Sequence, residues 1–322
     1  MYPFIFTPIL KEIIWGGTAI RPFKEMIPDE KRTGESWELS HVEGNNSVVA
    51  NGVLEGKTIG ELIAQFGTKL LGEKVIGQFG ATFPLLIKFI DAQENLSIQV
   101  HPDDALAQIR HHSWGKTEMW YVVKAAPNAA LYSGFSQQID SKEYERRIED
   151  NSIMEVLQRY EVKEGDVFFL PAGRIHAICA GCFIAEIQQT SDITYRIYDY
   201  NRKNSNRNSR KLHTELAKEA INYKVYHNYR TIYTPAPNQI VPLVQCKYFT
   251  TNLLELDIPK ERDYAALDSF IIYICIEGKA TLQDDCLNEL SIHQGQTVLL
   301  MAETHKVTIL PDSQVKLLEV YI

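Results

Sequence analysis

The chain of 322 residues contains no apolar run approaching the roughly 20 residues that a membrane span requires. Its opening, Met1-Tyr-Pro-Phe-Ile-Phe-Thr-Pro, lacks a basic start, a continuous apolar core and a small-residue cleavage site. No signal peptide is read there, and a cytoplasmic address is expected. Cysteine is sparse and odd in number, five in all, at positions 179, 182, 246, 275 and 286, which argues against a disulfide framework. Cys179-Ala-Gly-Cys182 has a redox spacing, but it follows a strand instead of opening a helix, where a thiolate would be stabilised. A reduced strand-turn pair is the expectation. Basic residues are outnumbered, 33 Lys and Arg against 41 Asp and Glu, and the net charge of −8 disfavours a general nucleic-acid binder.

What remains is an ordinary soluble globular composition, 45% apolar and 23% charged. The length accommodates two domains or one large β architecture with additions. Residues 1 to 55 read as irregular strands and turns. Thr58-Ile-Gly-Glu61 resembles a capping box and predicts a helix to about Leu71. Apolar strands are expected over Phe83 to Ile90 and Leu96 to Val100, then a short helix after His101-Pro-Asp-Asp, then a strand at Trp120-Tyr-Val-Val. The spacing between Asp140 and Tyr160 predicts two helices broken near Asn151-Ser152, an insertion spanning about 138–160. Further strands are expected at 182–188 and 193–198, a helix at 212–222, and a Tyr- and Pro-rich linker over 223–242. Beyond Cys246, short strands alternating with turns suggest a small jelly roll.

Four residues carry the chemistry. Gln99 and His101, in Leu-Ser-Ile-Gln-Val-His-Pro, alternate as residues on one strand face do, so both side chains can point at one spot. Glu118 lies in Gly-Lys-Thr-Glu-Met-Trp, and His176 ends Pro-Ala-Gly-Arg-Ile-His. Two imidazole nitrogens, a carboxylate and an amide oxygen suit a borderline ion such as Zn²⁺, one per chain. Gly165, Pro171, Gly173 and His176 follow Gly-x5-Pro-x-Gly-x2-His around the apolar Val167 to Leu170, describing a strand, a turn, and a strand that delivers a histidine inward. Between Arg196 and Lys211 the charge reverses locally, with Arg196, Arg202, Lys203, Arg207, Arg210 and Lys211 among Asn and Ser. Alone such a run is a solvated loop; beside a metal site it is a candidate anion clamp.

The Gly-x5-Pro-x-Gly-x2-His pattern is similar to the second signature motif of the cupin barrels. In the first motif, where many cupins have His-x-His, this chain has Gln99-x-His101, with Glu118 unusually far downstream. That departure, with Pro84-Leu-Leu-Ile-Lys-Phe, Lys116-Thr-Glu118, Asp192-Ile-Thr-Tyr-Arg196, Trp15-Gly-Gly and Gly34-Glu-Ser-Trp-Glu, resembles type I mannose-6-phosphate isomerase in its short bacterial form. The resemblance spans most of residues 1 to 210 and continues more weakly to the C-terminus.

The resemblance implies a mainly β fold of two cupin (jelly-roll) β-barrels with helical insertions. The catalytic domain would cover 1–240, and a degenerate cupin 241–322, in which only His305 stands near a ligand position. Metal-dependent interconversion of mannose 6-phosphate and fructose 6-phosphate is the implied activity. Arg196 occupies the position of the family's catalytic arginine; always protonated, it would stabilise an enediolate or bind phosphate. An ion pair with Asp199 is its bland alternative. Glu186 and Asp192 match acidic positions of the motif, and Glu186 is favoured as the base. Lys116, Lys88 and Ser97 fall on pocket-lining positions, with phosphate assigned to Ser97 and Lys88 aided by Arg202. A small sugar phosphate is the expected partner, with no nucleic acid or membrane, and a monomer or homodimer is the expected form. Two rival readings are a sugar-phosphate sensor without turnover and another metal-cupin enzyme.

Overall fold

The computed structural model describes residues 2–28, 30–203 and 209–322. Arg207 of the basic run lies outside the described residues. The fold is mainly β, and two sheets enclose the candidate site. A seven-stranded sheet runs Arg230–Thr231, Val167–Leu170, Glu118–Ala125, Cys182–Gln189, Leu85–Ala92, Ile9–Gly17, Thr33–Leu39. Facing it, a five-stranded sheet runs Leu157–Glu161, Ala130–Phe135, His176–Ile178, Ile98–Val100, Tyr195–Tyr198.

The central strands of the seven-stranded sheet are apolar almost throughout because both of its faces are covered. Leu85, Ile87 and Phe89, with Phe183, Ala185 and Ile187, join a core that includes Phe270, Ile272, Ile274, Leu318 and Val320 of the C-terminal part. Ile90, Trp120 and Ile184 pack into the space between the two site sheets instead. Strand alternation therefore sends Lys88, Glu118, Glu186 and Gln188 inward, polar side chains on an otherwise apolar face.

The C-terminal part forms a nine-stranded sheet with Ile271–Asp284 and Lys306–Tyr321 at its heart. These two long strands stand where short strands alternating with turns were expected beyond Cys246; register shifts near Cys275 and Gly278 bend the first of them without ending the pairing. The N-terminal strand Phe4–Thr7 pairs with Thr297–Leu300, so the start of the chain is lodged in the C-terminal sheet.

Other elements depart from expectation in ways their residues explain. The capping box at Thr58 and Glu61 forms, but the helix stops at Phe66 because Gly67 adopts φ 51°, ψ −121°. Two further short helices follow, Thr68–Leu71 and Glu73–Phe79. The insertion contains one α-helix, Ser141–Glu149; the expected second helix is a single 3-10 turn, Ile153–Val156, leading into a strand. Trp15-Gly-Gly ends the strand Ile9–Gly17 at a close backbone approach: a Cβ on Gly16 would stand 2.4 Å from the Gly34 nitrogen.

Candidate active site

Cross-strand register brings the predicted ligands together. His176 lies directly opposite Gln99, and Gln99 opposite Arg196, in the five-stranded sheet. In the facing sheet Glu118 begins its strand opposite Gln188, while Glu186 sits between Trp120 and Lys88. Glu118 is fully buried, with Oε2 3.5 Å from His101 Nε2 and Oε1 3.3 Å from His176 Nε2.

Both imidazoles are oriented by the backbone. His101 Nδ1 is 2.8 Å from the Ile193 carbonyl and His176 Nδ1 is 2.8 Å from the Arg174 carbonyl. A carbonyl only accepts, so each Nδ1 carries the proton and each Nε2 presents a lone pair to the centre. Burial lowers the pKa of both rings, that of His176 to about 3, which keeps them neutral as ligands must be. The Gln99 carboxamide lies 3.2 Å from His176 Nε2, and a half-turn of the amide brings its oxygen to the same place.

The donor set fits a metal ion. One nitrogen from each histidine and one Glu118 oxygen lie within 4.8 Å of one another, and among the described residues no backbone N–H, hydroxyl or amide donates to the Glu118 carboxylate. A buried carboxylate left in that state is costly unless a cation stands beside it. Lys116 supplies part of that charge, its Nζ 2.9 Å from Glu118 Oε2 and 3.1 Å from His101 Nε2. Burial raises the Glu118 pKa to about 7, and the lysine only partly offsets this. A divalent ion would hold the carboxylate ionised and satisfy both imidazoles.

Beside this centre is a cavity of about 200 Å³, lined by Ser97, Gln99, Lys116, Lys88, Glu186, Asp192, Arg196 and Arg210, with Trp15 and Trp37 on its walls. Glu186 accepts from Trp120 Nε1 at 2.9 Å and pairs with Lys88 Nζ at 3.0 Å. Burial alone would raise its pKa; the Lys88 and Lys116 charges win, and it falls to about 2. Lys88 is not free charge, since it also stands 3.8 Å from Glu35 and over the Trp37 ring. Asp192 is exposed at the cavity mouth.

The basic segment is arranged differently from expectation. Arg202 is spent on Asp199 and stacks over Tyr200, and it does not line the cavity. Arg210, which also pairs with Asp199, does line it. Asp199 therefore holds Arg202 and Arg210, and the alternative pairing with Arg196 is not the one formed. Arg196 donates from Nη1 to the Lys211 carbonyl at 3.1 Å, and its buried Nε has no hydrogen-bond partner among the described residues. His213, which carried no assignment, holds the Arg196 main chain: its Nδ1 accepts from the Arg196 N–H and its own N–H donates to the Arg196 carbonyl. A lone histidine 17 residues away gave no spacing signal for this. Cys179 and Cys182 are free thiols that burial pushes up to about 11 and about 12. His305 is exposed.

A buried His/Glu/His centre between two antiparallel sheets, opening on a small polar cavity, defines a metal-dependent cupin enzyme. Comparison with known proteins sharpens this. Residues 4–124 match the family model described as phosphomannose isomerase type I, catalytic domain, and residues 239–322 match mannose-6-phosphate isomerase, cupin domain. The mannose-6-phosphate isomerase ManA of Bacillus subtilis is 35% identical over 284 residues, 87% of either chain. The mannose-6-phosphate isomerase of Streptococcus mutans is 40% identical over 209 residues, 65% of this chain and 64% of that one. A crystal structure of the mannose 6-phosphate isomerase from Bacillus subtilis superposes with TM-score 0.88 at 32% identity, covering 100% of both chains. The chain belongs to the type I mannose-6-phosphate isomerase family.

Proposed function

We propose a division of labour by which this aldose–ketose isomerase interconverts mannose 6-phosphate and fructose 6-phosphate with one zinc ion per chain. Gln99, His101, Glu118 and His176 are the residues that would hold the ion. The observation that carries this reading is the Glu118 carboxylate, fully buried with Lys116 as its one close cation and set between two imidazoles whose Nε2 lone pairs face it. Bound there, the ion supplies Lewis-acid polarisation of the substrate oxygens, directly or through an ordered water.

The remaining work falls to the protein. Isomerisation moves a proton between C1 and C2 of the open-chain sugar through an enediol. Glu186 is assigned as the base in preference to Asp192, because it lies inside the cavity next to Lys116 while Asp192 is solvated at the mouth. Its ion pair with Lys88 keeps it ionised, so Lys88 acts mainly on Glu186 and contributes less to the phosphate than expected. Lys116 and Arg196 are cationic donors for the developing enediolate oxygens. Ser97 and Arg210 hold the phosphate; Arg202 acts on it only by sharing Asp199 with Arg210. The same reading divides the chain near residue 240 into a catalytic unit and a supporting one, with the strand Phe4–Thr7 donated to the latter.

The test is conversion of mannose 6-phosphate to fructose 6-phosphate by the purified protein as isolated, after chelation, and after zinc is restored. Activity that disappears and returns is the expected result. Absence of turnover with zinc bound would point to another substrate or to a sensor.

A further inference from the structure

The segment 115–117, which carries Lys116 and leads into Glu118, is held from outside the cavity by side chains that the proposed chemistry does not use. Asp104, the first residue of the helix Asp104–His111, accepts through Oδ1 from the Gly115 N–H at 3.1 Å and from Gln189 Nε2 at 2.9 Å. Gln189 Oε1 accepts in turn from the Thr117 N–H at 2.8 Å, and the Gln189 N–H donates to the Thr117 carbonyl at 3.1 Å. The Lys116 N–H donates to the Pro102 carbonyl at 3.1 Å. All three main-chain positions around Lys116 are thereby fixed. The fit is close, since a Cβ on Gly115 would stand 2.5 Å from the Asp104 nitrogen.

The other Asp104 oxygen reaches across the molecule. Oδ2 accepts from the Tyr248 hydroxyl at 2.7 Å, over 144 residues of sequence. Tyr248 lies in the turn joining Ile240–Gln245 to Thr250–Leu256, at one end of the C-terminal sheet. A continuous hydrogen-bonded path therefore runs from that sheet through Asp104 and Gln189 to the backbone on either side of Lys116. Gln189, one residue past Gln188, points away from the cavity, so the path stays off the substrate's side.

We infer that Asp104, Gln189 and Tyr248 are positioning residues through which the C-terminal unit sets the Lys116 ammonium against His101 and Glu118. The inference rests on the reading of Lys116 as a catalytic group. Displacements of about 1 Å at such a group cost on the order of a hundredfold in rate. Tight main-chain anchoring of a flexible lysine on a loop serves that need.

The experiment compares Tyr248→Phe, Asp104→Ala, Asp104→Asn and Lys116→Met in the zinc-loaded full chain, reading kcat, KM, zinc stoichiometry and Tm. Tyr248→Phe keeps the ring packing and removes one hydrogen bond; kcat is expected to fall about three- to tenfold with KM, zinc and Tm nearly unchanged. Asp104→Ala breaks the path at its centre, with kcat down about a hundredfold. Asp104→Asn keeps an oxygen for Gly115 and Gln189 and restores most of that loss. Wild-type kcat in both Tyr248→Phe and Asp104→Ala, with Lys116→Met impaired, overturns the positioning role alone. So does a loss in Asp104→Ala that Asn does not restore. Wild-type kcat in Lys116→Met overturns the underlying reading of that lysine and the inference with it.

Discussion

Glu118 and Glu319 are both fully buried, one between the two site sheets and one inside the C-terminal unit, and their surroundings are opposite. Glu319 projects to the side of its strand shared by Val315 and Leu317. There it accepts from Asn252 at 2.7 Å, from Arg262 at 2.6 and 2.9 Å, and from the Tyr264 hydroxyl. Glu118, by contrast, has one close cation, Lys116 Nζ at 2.9 Å from Oε2, and otherwise faces two neutral imidazoles. A buried charge that the protein has fully solvated is part of the architecture. One left to be completed by something else marks a site. The C-terminal unit keeps the jelly-roll strands and an internal carboxylate, yet it has closed that carboxylate off with its own arginine and tyrosine.

This contrast can be broken at either end. The largest effect is expected from His176→Ala, which removes a ligand from the open centre: zinc content should drop to background and turnover by about 10³-fold, read by elemental analysis beside the isomerase assay. Arg196→Ala should separate chemistry from metal binding, lowering kcat about 10²- to 10³-fold with zinc still stoichiometric. Near-wild-type kcat there would make the arginine structural. Glu319→Ala should do the reverse, leaving Arg262 without its carboxylate and costing about 3–5 kcal/mol of stability by denaturant unfolding. Zinc content and kcat per folded molecule should stay as they were, and loss of zinc would show that the two interiors are not independent. The smallest effect distinguishes the two arginines on Asp199: Arg210→Ala is expected to raise KM about tenfold, and Arg202→Ala only about twofold.

The grouping of His101, Glu118 and His176, which could hold a metal ion, was legible in part because strand periodicity and motif spacing act locally. Gln99 and His101 share a strand segment, and the Pro171/Gly173 turn aims His176. The family resemblance put Lys88 on the pocket, and a lone charge in the apolar stretch from Phe83 to Ile90 agrees with an inward face. Less was legible where partners meet only after folding. Arg202 was expected at the phosphate, yet Arg210 is the one that lines the cavity; a loop has no periodicity to say which one turns toward it. The path from Tyr248 to Asp104 joins residues 144 apart and leaves no spacing signature. In the fold, the helix break at Gly67 and the merging of short C-terminal strands into two long bent ones were missed. Both depend on backbone geometry at glycine, or near a bulge, and not on the apolar pattern.

The most direct test of the open centre is zinc-edge X-ray absorption on the full chain as isolated. The account predicts one zinc per chain with only nitrogen and oxygen neighbours at about 2.0–2.2 Å, two of them imidazoles, and loss of one imidazole in His101→Ala. A sulfur neighbour at about 2.3 Å, or an unchanged spectrum in that variant, would contradict it.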